Sequence, residues 1–157
     1  MPESPIRKLA KYADAAKLAG VHVYHLNIGQ PDIKTPPQAM EAVKRFDQDI
    51  LEYSPSQGLK SLRTKMVQYY AEYGIYLSPE EIIITTGGSE AVLFAFLACL
   101  GPGDEVIVTD PFYANYMAFA ISVGAVIKSV KTNIEDGFRL PSVEAFEEQI
   151  PPRTKAI

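Results

Sequence analysis

The stretch from Ile82 to Leu100, IIITTGGSEAVLFAFLACL, constrains the fold of this chain more than any other. Its three β-branched isoleucines, Ile82–Ile84, predict a buried strand of a parallel sheet. The two glycines that follow allow a tight turn and let another group come close to the backbone. The apolar run Ala91–Leu100 predicts a helix that protein covers on all sides. The stretch therefore predicts a strand, a glycine turn and a buried helix.

The turn that opens this helix is a candidate anion-binding site. Ser89 is a favourable N-cap residue, and Glu90 suits the positive first turn of a helix. Backbone N–H groups at a helix start can bind an anion, and the serine hydroxyl adds another donor. Gly87 and Gly88 would let the anion reach the backbone. An ordinary strand-to-helix connection is the alternative, because this motif is too short to decide by itself.

Strands and helices alternate in the second half of the chain. Runs of β-branched residues predict strands at 105–109 and 125–130, and the segment between them predicts a helix that ends before Gly124. This alternation favours an α/β fold with a largely parallel sheet, in which ligands bind beyond the carboxyl ends of the strands. The glycine turn and the aromatic segment 110–116 both follow strand ends. A flat, phosphorylated, aromatic ligand would suit this pair of turns.

The first half of the chain combines loops with an amphipathic helix. Apolar residues recur at helical spacing over 59–73, and this pattern places Arg63 on the solvent face. Gly29 lies in a proline-rich loop, and Tyr53 precedes a Ser-Pro pair in a second loop. The first loop is either a binding loop or a plain connector. Tyr53 is either a core tyrosine or one that directs its hydroxyl into a site.

Charge and cysteine content narrow the classes of function. The chain has 157 residues and a net charge of −4 at pH 7, which argues against a nucleic-acid partner. Its one cysteine, Cys99, cannot pair within the chain and is interpreted as a buried core residue of a reduced protein. The two histidines of a short strand predicted at 22–27 face opposite sides, so no metal site is expected. No secretory signal or membrane span is recognised, and a cytoplasmic protein is expected.

Five motifs give the chain a resemblance to a known family. It resembles the class I/II aminotransferases, which are pyridoxal-phosphate enzymes of fold type I, and in particular their aspartate-aminotransferase branch. The resemblance extends over nearly the whole chain. The motifs are NIGQPD at 27–32, YSP at 53–55 with Gly58 and Leu62–Arg63, TGGS at 86–89 with Ala91, GPGDEV at 101–106, and DPFY at 110–113 with Tyr116.

The resemblance implies a fold and a division into domains. The fold would be a three-layer α/β sandwich of fold type I with a mostly parallel sheet, its large domain incomplete and preceded by an N-terminal helical segment. Residues 1–47 would form the N-terminal arm and a small-domain segment, and residues 48–157 the first part of the large cofactor-binding domain. Ala156 and Ile157 are typical of the start of a strand. An N-terminal piece of a longer protein is therefore expected, with a natural terminus as the alternative.

The resemblance also implies roles for individual residues. Gly87–Ser89 match the segment that holds the phosphate of pyridoxal 5'-phosphate, and Tyr113 matches the aromatic residue that stacks on the pyridine ring. Tyr53 matches a tyrosine that reaches the cofactor phosphate of the neighbouring subunit, which implies a homodimer with a shared active site. Gly29 matches a glycine near the substrate carboxylate.

The reaction implied is a ping-pong transfer of an amino group between an amino acid and a 2-oxo acid. The family's Schiff-base lysine and its substrate-binding arginine are expected beyond Ile157, so this chain alone is expected to hold no catalytic residue and to be inactive. Other fold-type I enzymes, among them C–S lyases, synthases and decarboxylases, share much of the pattern. The alternative of another class is a non-catalytic phosphate- or nucleotide-binding α/β module, although the third glycine of a dinucleotide-binding turn is missing.

Overall fold

A computed structural model describes residues 7–157 of the chain, which divides into two compact units. The sheet unit contains the described residues up to His25 together with Thr86–Ile157. The helical unit contains Leu26–Thr85.

Three parallel strands form the centre of the sheet unit: β1 (Glu105–Asp110), β2 (Val126–Lys131) and β3 (Thr154–Ala156). Their order in the sheet is β2-β1-β3. Val106 of the middle strand pairs with Ile127 on one side and with Ala156 on the other. Val106 and Ile107 are buried, as expected for apolar residues of a central parallel strand. The parallel α/β sheet predicted from the sequence is confirmed.

Helices accompany these strands in the sheet unit. They are α1 (Ala10–Leu18), α4 (Gly88–Cys99), α5 (Asn115–Val123) and α6 (Val143–Glu147). Leu100 and Ala120 pack with Val106 and Ala125 in the buried cluster, and α4 contacts α5. Helix α5 ends at Gly124, whose φ of 74° lies in the left-handed region that favours glycine. The predicted stop at this glycine is therefore confirmed.

Helix α4 is more exposed than its apolar sequence predicts. None of its residues is buried, and the side chains of Phe94 and Leu97 keep 47% and 59% of their surface exposed. Cys99 is also exposed, so its interpretation as a core residue is wrong. The reason is that, within the described part of the chain, α5 and the sheet cover only part of this helix.

The strands predicted at 22–27 and at Ile82–Ile84 do not form in the described residues. Both segments lack a neighbouring strand, which an extended backbone needs for its ladder of hydrogen bonds. Ile82 is nevertheless buried, and the N–H of Ile84 donates to the carbonyl oxygen of Gln57 at 3.0 Å. This isoleucine segment is thus an extended part of the helical unit and not a strand of the sheet.

The helical unit is held together by a buried arginine. Its helices are α2 (Pro37–Lys44), α3 (Lys60–Ala71) and a short 3-10 helix (Pro79–Glu81). Arg63 of α3 is only 8% exposed, and it donates to the carbonyl oxygens of Gly58 at 3.3 Å and Pro79 at 2.6 Å. The prediction that Arg63 faces solvent is therefore wrong, because these carbonyls bind the guanidinium inside the unit. Beside it, the backbone N–H and hydroxyl of Ser78 hold the pKa of Glu81 below its ordinary value.

Candidate functional site

Helix α4 begins at a glycine and not at the predicted serine. Gly87 is the N-cap residue, with a φ of 89° that only glycine adopts without strain. Gly88 is the first helical residue, so Ser89 is the second. The prediction that Ser89 caps the helix is wrong, because the left-handed turn at Gly87 brings the chain into the helix before the serine is reached.

The start of α4 presents hydrogen-bond donors to open space. The first hydrogen bond of the helix runs from the N–H of Ala91 to the carbonyl oxygen of Gly87. The N–H groups of residues 88–90 precede this bond and lie outside the helical ladder. A Cβ atom added at Gly87 or Gly88 would meet no heavy atom within 4 Å, and Ser89 is exposed. Donors at the positive end of a helix dipole, bordered by open space, suit a phosphate group.

Glu90 closes the turn that leads into α4. Its carboxylate accepts a hydrogen bond from the N–H of Thr86 at 2.6 Å, which joins the two ends of the segment that contains both glycines. The helix dipole accounts for an acidic residue at this position but does not by itself predict this contact. An acidic residue at the third helical position is the signal that indicates such a bond to the chain before the helix.

The aromatic segment that follows β1 holds one tyrosine ring in a defined orientation. Tyr113 is 47% exposed, and its hydroxyl accepts a hydrogen bond from Nδ2 of Asn115 at 2.7 Å. The ring of Tyr116 meets the ring of Tyr113 edge-on, with centroids 5.5 Å apart and planes at 88°. An exposed and anchored ring of this kind can stack on a flat aromatic ligand.

Helix α4 and the aromatic segment border a common groove in the sheet unit. An apolar groove of about 520 Å³ runs along α4 and the sheet. Its lining includes Val92 from the first turns of α4, together with Thr109 and Tyr116. It also includes Leu100, just after α4, and Val106, near the start of β1, which pack together in the core. The first turns of α4 therefore lie beside the carboxyl end of β1, where ligands of parallel sheets bind.

The other two candidate residues belong to the helical unit. Tyr53 is fully exposed, which excludes the alternative that it is a core tyrosine. Gly29 is exposed, and a Cβ atom added there would meet nothing within 4 Å, so packing does not require glycine at this position. The structure thus assigns Tyr53 and Gly29 to a different compact unit from the glycine turn and Tyr113.

Comparison with known proteins identifies the family. The family model described as Aminotransferase class I and II matches residues 21–157. The chain belongs to the class I and II aminotransferases. It is 38% identical over 157 residues to the aspartate/prephenate aminotransferase of Thermus thermophilus, covering 98% of this chain and 40% of that protein. It is 33% identical over 159 residues to the aspartate aminotransferase of Thermotoga maritima, covering 100% of this chain and 42% of that protein.

Solved structures of aminotransferases share the fold of this aminotransferase chain. A single mutant of the Thermus thermophilus aspartate aminotransferase matches with a TM-score of 0.88 and 35% identity, covering 98% of this chain and 41% of that one. The alanine aminotransferase of Pyrococcus furiosus matches with a TM-score of 0.87 and 30% identity, covering 98% of this chain and 40% of that one. The chain thus spans about 40% of the length of these relatives, and the expected incomplete fold-type I architecture is confirmed.

The residues of the sheet unit fit the cofactor of this family, whose members depend on pyridoxal 5'-phosphate. The start of α4 offers N–H donors and open space to a phosphate, and Tyr113 offers an exposed ring to a pyridine. Residues 7–157 contain no group of histidine, cysteine and acidic side chains that could hold a metal ion. The same residues include no helix that is long and apolar enough to cross a membrane.

Proposed function

We propose that this chain is the cofactor-anchoring part of a pyridoxal-phosphate-dependent aminotransferase that moves an amino group between an amino acid and a 2-oxo acid. One observation carries the proposal: the open helix start at Gly87–Ser89 opens helix α4, which lines the same groove as Tyr116, and Tyr116 contacts the exposed ring of Tyr113. The names of the relatives support the reaction, since they are aspartate, aspartate/prephenate and alanine aminotransferases.

In this proposal the residues of the chain bind and orient the cofactor. When bound, pyridoxal phosphate supplies the electron sink for loss of a proton from the α-carbon of the amino acid. The N–H groups of residues 88–90 and the hydroxyl of Ser89 bind the phosphate, and the dipole of α4 stabilises its negative charge. Glu90 fixes the turn, and Tyr113 fixes the plane of the pyridine ring. The lysine that moves the proton is expected beyond Ile157.

The assembly of the enzyme is also part of the proposal. Tyr53 extends from the helical unit with its side chain fully exposed, which supports contact with the cofactor phosphate of a second subunit in a homodimer. Gly29 is proposed to lie near the substrate carboxylate. The single cysteine supports a reducing compartment, and we place the enzyme in the cytoplasm. Its proposed role is in amino-acid metabolism and biosynthesis.

A test of amino-group transfer compares the 157-residue chain with the complete protein. Each is supplied with pyridoxal phosphate, ¹⁵N-labelled aspartate or alanine, and a series of 2-oxo acids. We expect the complete protein to form ¹⁵N-labelled amino acids from the 2-oxo acids, and the 157-residue chain to form none. Product formation is followed by mass spectrometry.

Two results would contradict this function. Release of ammonia or carbon dioxide without transfer of the label to a 2-oxo acid would indicate a lyase or a decarboxylase, which share this fold. Binding of phosphate compounds by the complete protein without any conversion would indicate the non-catalytic binding module.

A further inference from the structure

Two side chains anchor the ring of Tyr113 from different directions. Nδ2 of Asn115 donates to the hydroxyl at the tip of the ring at 2.7 Å. The ring of Tyr116 meets the ring of Tyr113 in an edge-to-face contact. Tyr116 is half-buried and lines the groove beside α4, so this second anchor is itself fixed by the sheet unit. About half of the surface of Tyr113 remains exposed.

The first anchor depends on the position and chemistry of Asn115. It is the first residue of α5, so its backbone is fixed by the helix that follows. A side-chain amide can donate to a hydroxyl oxygen, whereas a carboxylate in the same place could only accept. The bond therefore joins the tip of an exposed side chain to a rigid element.

We infer that Asn115 is a positioning residue for the cofactor ring. It acts through Tyr113, which it holds in one orientation before the cofactor binds. A side chain that is already ordered loses less conformational entropy when it stacks on a ligand. The smaller entropy loss makes the binding free energy more favourable and so raises the affinity. The inference rests on the proposed function, because it assigns the stacked ligand to pyridoxal phosphate and its analogues.

The test measures the affinity of the purified protein for pyridoxamine 5'-phosphate, which has no aldehyde and therefore forms no Schiff base with lysines. Three variants are compared: Asn115→Ala, Tyr113→Phe and the double variant. We expect each single change to weaken binding about threefold, because each removes the same hydrogen bond. The double variant is expected to lose no more than either single variant, because the bond can be lost only once.

Two controls separate positioning from general damage. The affinity for inorganic phosphate, which has no ring to stack, is expected to stay unchanged in all three variants. The change Asn133→Ala removes an exposed asparagine elsewhere in the same unit, and it is expected to leave both affinities unchanged.

Several outcomes would overturn the inference. One is that Asn115→Ala binds pyridoxamine phosphate as tightly as the unmodified protein. A second is that the loss of affinity in the double variant equals the sum of the losses in the two single variants. A third is that the affinity for inorganic phosphate falls as much as the affinity for pyridoxamine phosphate. Each of these results would exclude a role through the Tyr113 ring while leaving the proposed function intact. An unmodified protein that binds pyridoxamine phosphate no better than inorganic phosphate would instead contradict the proposed function, and this role of Asn115 with it.

Discussion

Replacing Gly58 with alanine is expected to lower the free energy of unfolding by about 2–5 kcal/mol. Gly58 has a φ of 90°, in the left-handed region, and a Cβ atom there would lie 2.5 Å from Cβ of Ile84. The left-handed conformation costs an alanine about 1–2 kcal/mol. The contact adds about 1–3 kcal/mol, because the atom that it meets is next to the backbone and cannot rotate away. Urea unfolding of the purified protein measures the change.

Two other glycines of the helical unit separate the cost of the left-handed conformation from the cost of the contact with Ile84. Gly74 has a φ of 74° but meets no heavy atom within 4 Å of an added Cβ, so Gly74→Ala is expected to show the conformational cost alone. Gly29 lies outside the left-handed region and also meets nothing, so Gly29→Ala is expected to leave stability nearly unchanged. Equal losses from Gly58→Ala and Gly74→Ala would show that the predicted contact with Ile84 is absent.

The change Arg63→Met is expected to destabilise the protein by about 2–4 kcal/mol. Methionine keeps much of the aliphatic volume but leaves the carbonyl oxygens of Gly58 and Pro79 without their charged donor. Arg63→Lys is expected to lose about half as much, because a single ammonium group cannot reproduce the planar donor arrangement of a guanidinium. Chemical unfolding and hydrogen exchange of the helical unit measure both changes.

An exposed arginine supplies the control for this prediction. Arg45 is paired with Glu41 at 3.2 Å on the surface of α2, where both side chains are largely exposed. An exposed pair of this kind contributes about 0.3–0.5 kcal/mol, so Arg45→Met is expected to have a small effect. If Arg63→Met were no more damaging than Arg45→Met, the buried arginine would not hold the unit together.

Gly58 and Arg63 both belong to the hydrogen-bond network of the loop that carries Tyr53. The N–H of Gly58 donates to the carbonyl oxygen of Pro55 at 2.7 Å, and Arg63 binds the carbonyl oxygen of Gly58. The motif YSP with Gly58 and Arg63 therefore has a structural cause: one network closes the loop and joins it to α3. In the proposed enzyme, this network would set the position from which Tyr53 reaches a second subunit.

Local sequence patterns predicted the sheet unit better than the helical unit. The strands around Val106 and Val126 and the helix stop at Gly124 are encoded by adjacent residues, and they form near the predicted positions. The burial of Arg63 depends on the carbonyl oxygen of Pro79, sixteen residues away, which helical periodicity does not detect. The segment Ile82–Ile84 has the composition of a strand, but a strand also needs a partner, and composition does not specify one.

The candidate site was predicted in part. The sequence indicates the glycine turn, but N-cap preferences favour Ser89 as the cap. These preferences concern residue type and do not reveal the left-handed φ of Gly87, which makes Gly87 the cap. The resemblance selected Tyr113, whereas the anchor from Asn115 depends on two side-chain rotamers that no motif encodes. The domain boundary between residues 47 and 48, and the roles of Tyr53 and Gly29, stay predictions.

The first turn of α4 is proposed to bind the phosphate of the cofactor, and substitution of Gly88 tests this role directly. Gly88→Pro removes one N–H donor, and proline is well tolerated at the first helical position. The preceding residue has a ψ of 170°, which is compatible with a following proline. Gly88→Ala is the control, because it keeps the N–H and its Cβ would meet no protein atom within 4 Å.

The measurement is the affinity of each protein for pyridoxamine 5'-phosphate and for pyridoxamine, determined by titration calorimetry. We expect the unmodified protein and Gly88→Ala to bind the phosphorylated compound at least about tenfold more tightly than pyridoxamine, since hydrogen bonds to a charged group are strong. Gly88→Pro is expected to lose about tenfold in affinity for the phosphorylated compound and none for pyridoxamine. If the proline variant bound the phosphorylated compound as tightly as the unmodified protein, the phosphate would not be held at the start of α4.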